Sequence, residues 1–145
     1  MASDYGISFG TAPMYQGAAS FTSGNAATIF TVALPTAGDR CAGTVLFDVE
    51  CSDGTDYQNI CQYANFSAVN KAGTITGDFT YATTGQSKNT TAGTLTMTAA
   101  DTTGTPSTDA VFQITPTSSL TLTSAVIKFT IISLFGNKPS SIVTT

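Results

Sequence analysis

The stretch TVLFDVEC, residues 44–51, alternates without a break. Val45, Phe47, Val49 and Cys51 fall on one side, and Asp48 and Glu50 fall on the other. A period of two is the signature of a half-buried β-strand and does not fit the 3.6-residue period of a helix. The pattern recurs. TIFTVALP (28–35) sets Phe30, Val32 and Leu34 on one face, and GTITGDFTYAT (73–83) offers Ile75, Phe79 and Tyr81. GTLTMTA (93–99) offers Leu95, Met97 and Ala99, and AVFQITP (110–116) offers Phe112 and Ile114. In LTLTSAVIKFTIISLF (120–135), Ile127, Phe129 and Ile131 oppose Val126, Lys128 and Thr130. No amphipathic helix is apparent.

One segment changes phase. In YQNICQYANFSAV (57–69), Tyr57, Cys61 and Tyr63 are odd, whereas Ala64, Phe66 and Ala68 are even. A β-bulge near residues 62–64 is expected there. Gly, Asn, Asp, Pro and Ser punctuate the gaps as AGDR, SDGTD, NKAG, TTGQSKN and ADTTGTPSTD, which are turn chemistries. The expectation is an all-β chain: a single, jelly-roll-like β-sandwich of seven to eight antiparallel strands over residues 28–135. A C-terminal tail (136–145) follows it.

Residues 1–27 are rich in Gly, Ala and Ser, yet carry Tyr5, Ile7, Phe9, Met14, Tyr15 and Phe21. A free linker does not need so many apolar side chains. They form an extended N-terminal arm that either packs on its own domain or adds a strand to a neighbour. Both readings stay open.

Composition narrows the function. Threonine supplies 28 of the 145 residues, charged residues only 10%, and the net charge is −4. Arg40, Lys71, Lys88, Lys128 and Lys138 are scattered, so neither nucleic acid nor an anionic membrane is an expected partner. No apolar run approaches the roughly 18 residues of a transmembrane helix. The N-terminus lacks the basic and apolar regions of a secretory signal. There is no histidine and no tryptophan, which removes histidine-based triads and metal sites and weakens a sugar-stacking platform.

Each remaining candidate also admits a simpler role. Asp48 and Glu50 share a strand face and resemble a glycosidase carboxylate pair, but they also suit the solvent side of a strand. Asp53 and Asp56 flank Gly54-Thr55; they suit a capped hairpin turn better than a calcium site, which needs six to eight oxygens. With Gly54-Thr55 as the loop, Ser52 faces Tyr57, Cys51 faces Gln58 and Asp48 faces Cys61. Cys41, Cys51 and Cys61 lack CxxC spacing and are expected as small, partly buried thiols. A disulfide between two of them stays open. Tyr57, Tyr63, Tyr81 and the loop at 84–92 could serve a glycan. The sequons NFS (65–67) and NTT (89–91) are of a kind that arises by chance in so Ser/Thr-rich a chain. No catalytic, cofactor-binding or metal residue is assigned, and no cofactor is expected.

The run GTVLFDVECSDGTDYQNICQYANFSAVNKAGTITG (43–77) resembles a hairpin of tailed-bacteriophage virion proteins. Those are small β-sandwiches with a DGTDYQ-type turn, a strand and an NKAGT-type turn. The closing SSLTLTSAVIKFTIISLF (118–135) is similar to their last strands. The resemblance implies a non-enzymatic structural role in a virion assembled in the host cytoplasm: a head decoration protein, a head or neck fibre, or a tail-appendage domain. It also implies a homotrimer or other symmetric oligomer that docks on major capsid or other virion proteins, with residues 1–27 as the docking arm. Three cysteines and a short independent chain depart from the larger fibre proteins.

Overall fold

The computed structural model describes residues 15–81, 87–102 and 108–144. Among them the chain forms ten strands in two antiparallel sheets and no helix. The strands are β1 (Tyr15–Ser20), β2 (Ala27–Ala33), β3 (Arg40–Ser52), β4 (Tyr57–Lys71), β5 (Thr74–Thr80), β6 (Ser87–Thr90), β7 (Leu95–Thr102), β8 (Asp109–Ser118), β9 (Ser124–Gly136) and β10 (Pro139–Ile142). The front sheet runs β1-β9-β3-β4-β5, with β6 paired to β4 beside β5; the back sheet runs β10-β2-β8-β7.

Alternation decides which face of each strand turns inward. Val45, Phe47, Val49 and Cys51 of β3 are buried, as are Ile127, Phe129 and Ile131 of β9. The centre of the sandwich is aromatic. Phe30 and Phe112 of the back sheet stack at 4.8 Å between centroids. Phe66 of the front sheet meets them edge-on at 5.0 and 5.1 Å, and Phe79 meets Phe112 at 5.5 Å. Such geometries add a modest directional term, about 0.5–1.5 kcal/mol per pair, to a burial that is already large.

Three expectations need revision. The bulge near 62–64 is absent: β4 pairs with β3 residue by residue from Tyr57↔Ser52 to Val69↔Arg40. Its even positions face inward throughout, including buried Gln58, Gln62 and Asn70. The phase seemed to change because polar residues occupy inward sites while Tyr57 and Tyr63 face out. In the front sheet the irregularity lies instead in β9, where Thr44 pairs Ser133 but Val45 pairs Ile131, leaving Ile132 as the extra residue. The sandwich is also longer than 28–135. Within the stretch read as an arm, Tyr15–Ser20 pairs with β9. Within the stretch read as a tail, β10 pairs with β2. Residues 1–14 lie outside the described residues. Ten strands among the described residues replace seven or eight because β1 lies in the stretch read as an arm, and β6 and β10 are four-residue strands with no apolar alternation.

The C-terminal segment ties the two sheets together. The Ala18 N–H donates to the Val143 carbonyl at 3.0 Å, and the Val143 N–H donates to the Ile29 carbonyl at 3.2 Å. Gly17 makes room for this: a Cβ there would lie 2.4 Å from both the Val143 oxygen and the Phe129 ring.

Candidate interaction face

The long central hairpin β3–β4 sets the frame. Its turn has the register expected from the sequence, with Ser52 opposite Tyr57, Cys51 opposite Gln58 and Asp48 opposite Cys61. Asp53 is the cap. Its Oδ1 accepts from the N–H groups of Thr55 at 2.9 Å and Asp56 at 2.8 Å, and Gly54 takes the left-handed φ of 97° that the turn requires. Those backbone donors, Asp56 first and then Thr55, hold the Asp53 carboxyl below its ordinary value. Asp56 Oδ1 accepts from the Thr91 hydroxyl at 2.9 Å. Both aspartates are thus engaged in turn architecture. Among the described residues, no three His, Cys, Asp or Glu side chains gather as a metal site would require.

Two buried amides pin the ends of β4. Gln58 Nε2 donates to the Ala92 carbonyl at 2.7 Å, and its Oε1 accepts from the Ser118 hydroxyl of the back sheet at 2.6 Å. Asn70 Nδ2 donates to the Leu34 carbonyl at 2.6 Å, and its Oδ1 accepts from the Gly73 N–H at 2.8 Å. Buried amides are tolerable only when satisfied in this way. They hold the front sheet in one register and one orientation over the back sheet.

Outward-facing side chains on β9, β3 and β4 then form rows across the sheet. One row runs Lys128, Asp48, Cys61 and another runs Val126, Glu50, Asn59. The Asn59 amide donates to Asp48 Oδ1, and the Lys128 ammonium lies 2.6 Å from Glu50 Oε2. Partial burial raises the Asp48 carboxyl above its ordinary value; the Asn59 bond pulls it down and the neighbouring Glu50 pushes it up. Glu50 is lowered, chiefly by Lys128. One raised and one lowered carboxyl is the pattern of an acid–base pair. Here each carboxylate also has a fixed structural partner, on the outer side of a sheet.

The tyrosines do not converge. Tyr57 and Tyr63 are exposed on this outer face, six residues apart on one strand, hence roughly 20 Å apart. Tyr81 packs against the core instead, and burial raises its hydroxyl. Of the loop read at 84–92, residues 87–90 form β6 and residues 84–86 lie outside the described residues. Beside Tyr57, a hollow of about 400 Å³ is lined by Glu50, Asn59, Ser52 and Ser124. The three thiols are free. Cys41 is pushed up to about 11, mainly by burial, and burial also raises Cys51. Cys51 faces the core and Cys61 the outer face, so they do not pair.

The feature that the alternation concealed is apolar. Among the described residues, the exposed large hydrophobic side chains are Leu46, Tyr57, Tyr63, Val69, Ile132 and Phe135, with Phe135 71% and Ile132 54% exposed. All six lie on the adjacent strands β9, β3 and β4 of the front sheet. Leu46 and Tyr63 are direct cross-strand partners, and Phe135 stands opposite Ala42. The back sheet contributes none to this group; its exposed positions on β7 include Thr96 and Thr98. Consistent inward parity for β4 would have shown that Tyr57, Tyr63 and Val69 face out. No local signal marks the bulge that exposes Ile132.

No protein-family model matches the chain, and no curated protein matches it. Among solved structures, the tailspike protein of Acinetobacter baumannii phage AM24 is similar at a TM-score of 0.36 and 11% identity. The match covers 91% of this chain but 28% of the tailspike chain.

Proposed function

We propose that this protein is a non-enzymatic structural component of a bacteriophage particle, a capsid decoration or head/neck fibre protein that self-associates and docks on virion proteins. The observation that carries a contact role is the gathering, among the described residues, of six exposed large apolar side chains on one sheet face. Large apolar side chains gathered on one exposed face, with polar groups between and around them, mark partner surfaces. The resemblance of residues 43–77 and 118–135 to virion proteins supplies the phage context. In this reading the polar pairs Asp48–Asn59 and Glu50–Lys128 separate apolar anchors, and no residue carries out catalysis.

The test is particle association. A Leu46→Lys/Tyr63→Lys variant, folded as judged by its melting temperature, should no longer cosediment with particles from lysed host cells. Undiminished cosedimentation rules out this face as the contact. A truncation used beside it should stop at residue 14, because Tyr15–Ser20 is a strand of the sheet.

A glycan-binding or adhesin role is the second reading. It is favoured by Tyr57, 62% exposed, beside the hollow that holds Glu50 and Asn59. A glycan array probed with oligomeric protein should then give hits that Tyr57→Ala abolishes. An array without hits counts against this role.

A further inference from the structure

The outer face of the front sheet carries opposite charges at its two ends. Strand β3 runs from Arg40 to Asp48 and Glu50, and on to Asp53 in the turn; β4 runs from the Asp56 side of that turn to Lys71. Lys138 follows Asn137, whose N–H donates to the Arg40 carbonyl at 2.8 Å. The turn end thus holds four carboxylates with Lys128, and the far end holds Arg40, Lys71 and Lys138 with Asp39. Those three cations are far apart in the sequence and close in the fold. All three are exposed, and none has an ion-pair partner among the described residues.

Apolar side chains stand midway between the ends. Leu46 and Tyr63 are cross-strand partners, 40% and 57% exposed. On β3, Arg40 and Ser52 lie six residues to either side of Leu46; on β4, Val69 and Tyr57 lie six residues to either side of Tyr63. Six strand residues span about 20 Å. Asp53 and Asp56 lie just past the Ser52–Tyr57 row, and Lys71 lies just past the Arg40–Val69 row.

A face with this pattern complements itself when reversed end for end. A half-turn about a line crossing the strands at Leu46 and Tyr63 sets Tyr57 over Val69, and Asp53 and Asp56 over Arg40 and Lys71. By symmetry each contact occurs twice. Asp78, level with Ser67, comes over Asn89, which is level with Asn59. A half-turn about a line along the strands instead sets the four carboxylates of the turn end against their own copies, which repels. The face is five strands wide, roughly 24 Å by 40 Å, comparable with the about 800 Å² that each partner buries in a stable interface.

We propose that two copies pack their front sheets face to face with strands antiparallel, about a two-fold axis that lies between the sheets and crosses the strands at Leu46 and Tyr63. This rests on the self-association in the proposed function and names its surface and its orientation.

Two variants of the whole chain test it. Arg40→Glu/Lys71→Glu makes the cationic end acidic. Thr55→Lys/Asp56→Lys makes the turn end more basic and keeps the Asp53 cap. Each is measured by light scattering during gel filtration, with its melting temperature as a folding control. Wild type should have twice the mass of one chain, and each folded variant the mass of one chain. An equimolar mixture should return to a one-to-one dimer, since each altered end then meets the opposite charge. Variants that stay dimeric alone overturn the proposal and leave self-association to another surface. Variants that stay monomeric when mixed overturn it as well. A mixture that grows beyond two copies marks end-to-end stacking and overturns it too. A wild type that is monomeric at all concentrations removes both this arrangement and self-association.

Discussion

Replacing Gln58 by Leu tests how the sandwich is held together. Gln58 is 2% exposed, and its amide spans both sheets through Ser118 and the Ala92 carbonyl. The substitution keeps the size and removes both bonds, together with the longer one, 3.6 Å, that the Cys51 thiol donates to Oε1. The Ser118 hydroxyl then loses its acceptor and the Ala92 carbonyl its donor, each at about 1–3 kcal/mol. Burying an apolar side chain in place of the amide returns on the order of 1–2 kcal/mol. The expected net loss is about 2–4 kcal/mol. For a chain of this size each kcal/mol is worth about 3 °C, so the melting temperature should fall by roughly 6–12 °C. Urea unfolding followed by tyrosine fluorescence and calorimetry reads both quantities. A double-mutant cycle with Ser118→Ala should show a coupling of about 1 kcal/mol. A Gln58→Leu variant as stable as wild type, or a cycle without coupling, refutes the argument that this amide pins the sheets.

Three further outcomes follow from the same geometry. Ala72 holds a φ of 54° beside Gly73 in the β4–β5 turn. Asn tolerates that region better, so Ala72→Asn should stabilise by about 0.5–1 kcal/mol in denaturant titration. The Asp48 carboxyl is raised in the folded state, so its contribution is favourable below the ordinary carboxylate range and is lost as pH rises through the folded value. Asp48→Asn should therefore gain stability over wild type at pH 7, with the gain vanishing at about pH 3 in paired thermal melts. Finally, a thiol reagent at neutral pH should label one cysteine per native chain, Cys61, and three in denaturant, because Cys41 and Cys51 are buried.

Much of the fold was legible because alternation is a local signal. Strand β3 reads directly from Val45, Phe47 and Val49, and the hairpin register follows from Asp53-Gly54 once the turn is placed. Strand β4 departs from its sequence pattern because burial outranks polarity there: Gln58, Gln62 and Asn70 face inward, and Gln58 and Asn70 are satisfied by hydrogen bonds to distant segments. Strands β1, β6 and β10 are defined by partners far along the chain and carry little pattern of their own. The exposed apolar face was half legible. Parity places Tyr63 and Leu46 outside, whereas the exposure of Ile132 depends on a bulge, which is a tertiary fact. The resemblance to virion proteins rests on turns that the structure explains as backbone geometry: the DGTDYQ turn is capped by Asp53, and the NKAGT turn is held by Asn70.

Hydroxyl-radical footprinting of the chain, free and within assembled particles, tests most directly whether the outer face of the front sheet meets other proteins, as proposed above. Leu46, Tyr63, Ile132 and Phe135 should lose most of their labelling on assembly, while Tyr81 should change little. Unchanged labelling of those four side chains, or protection confined to the back sheet, would contradict the account.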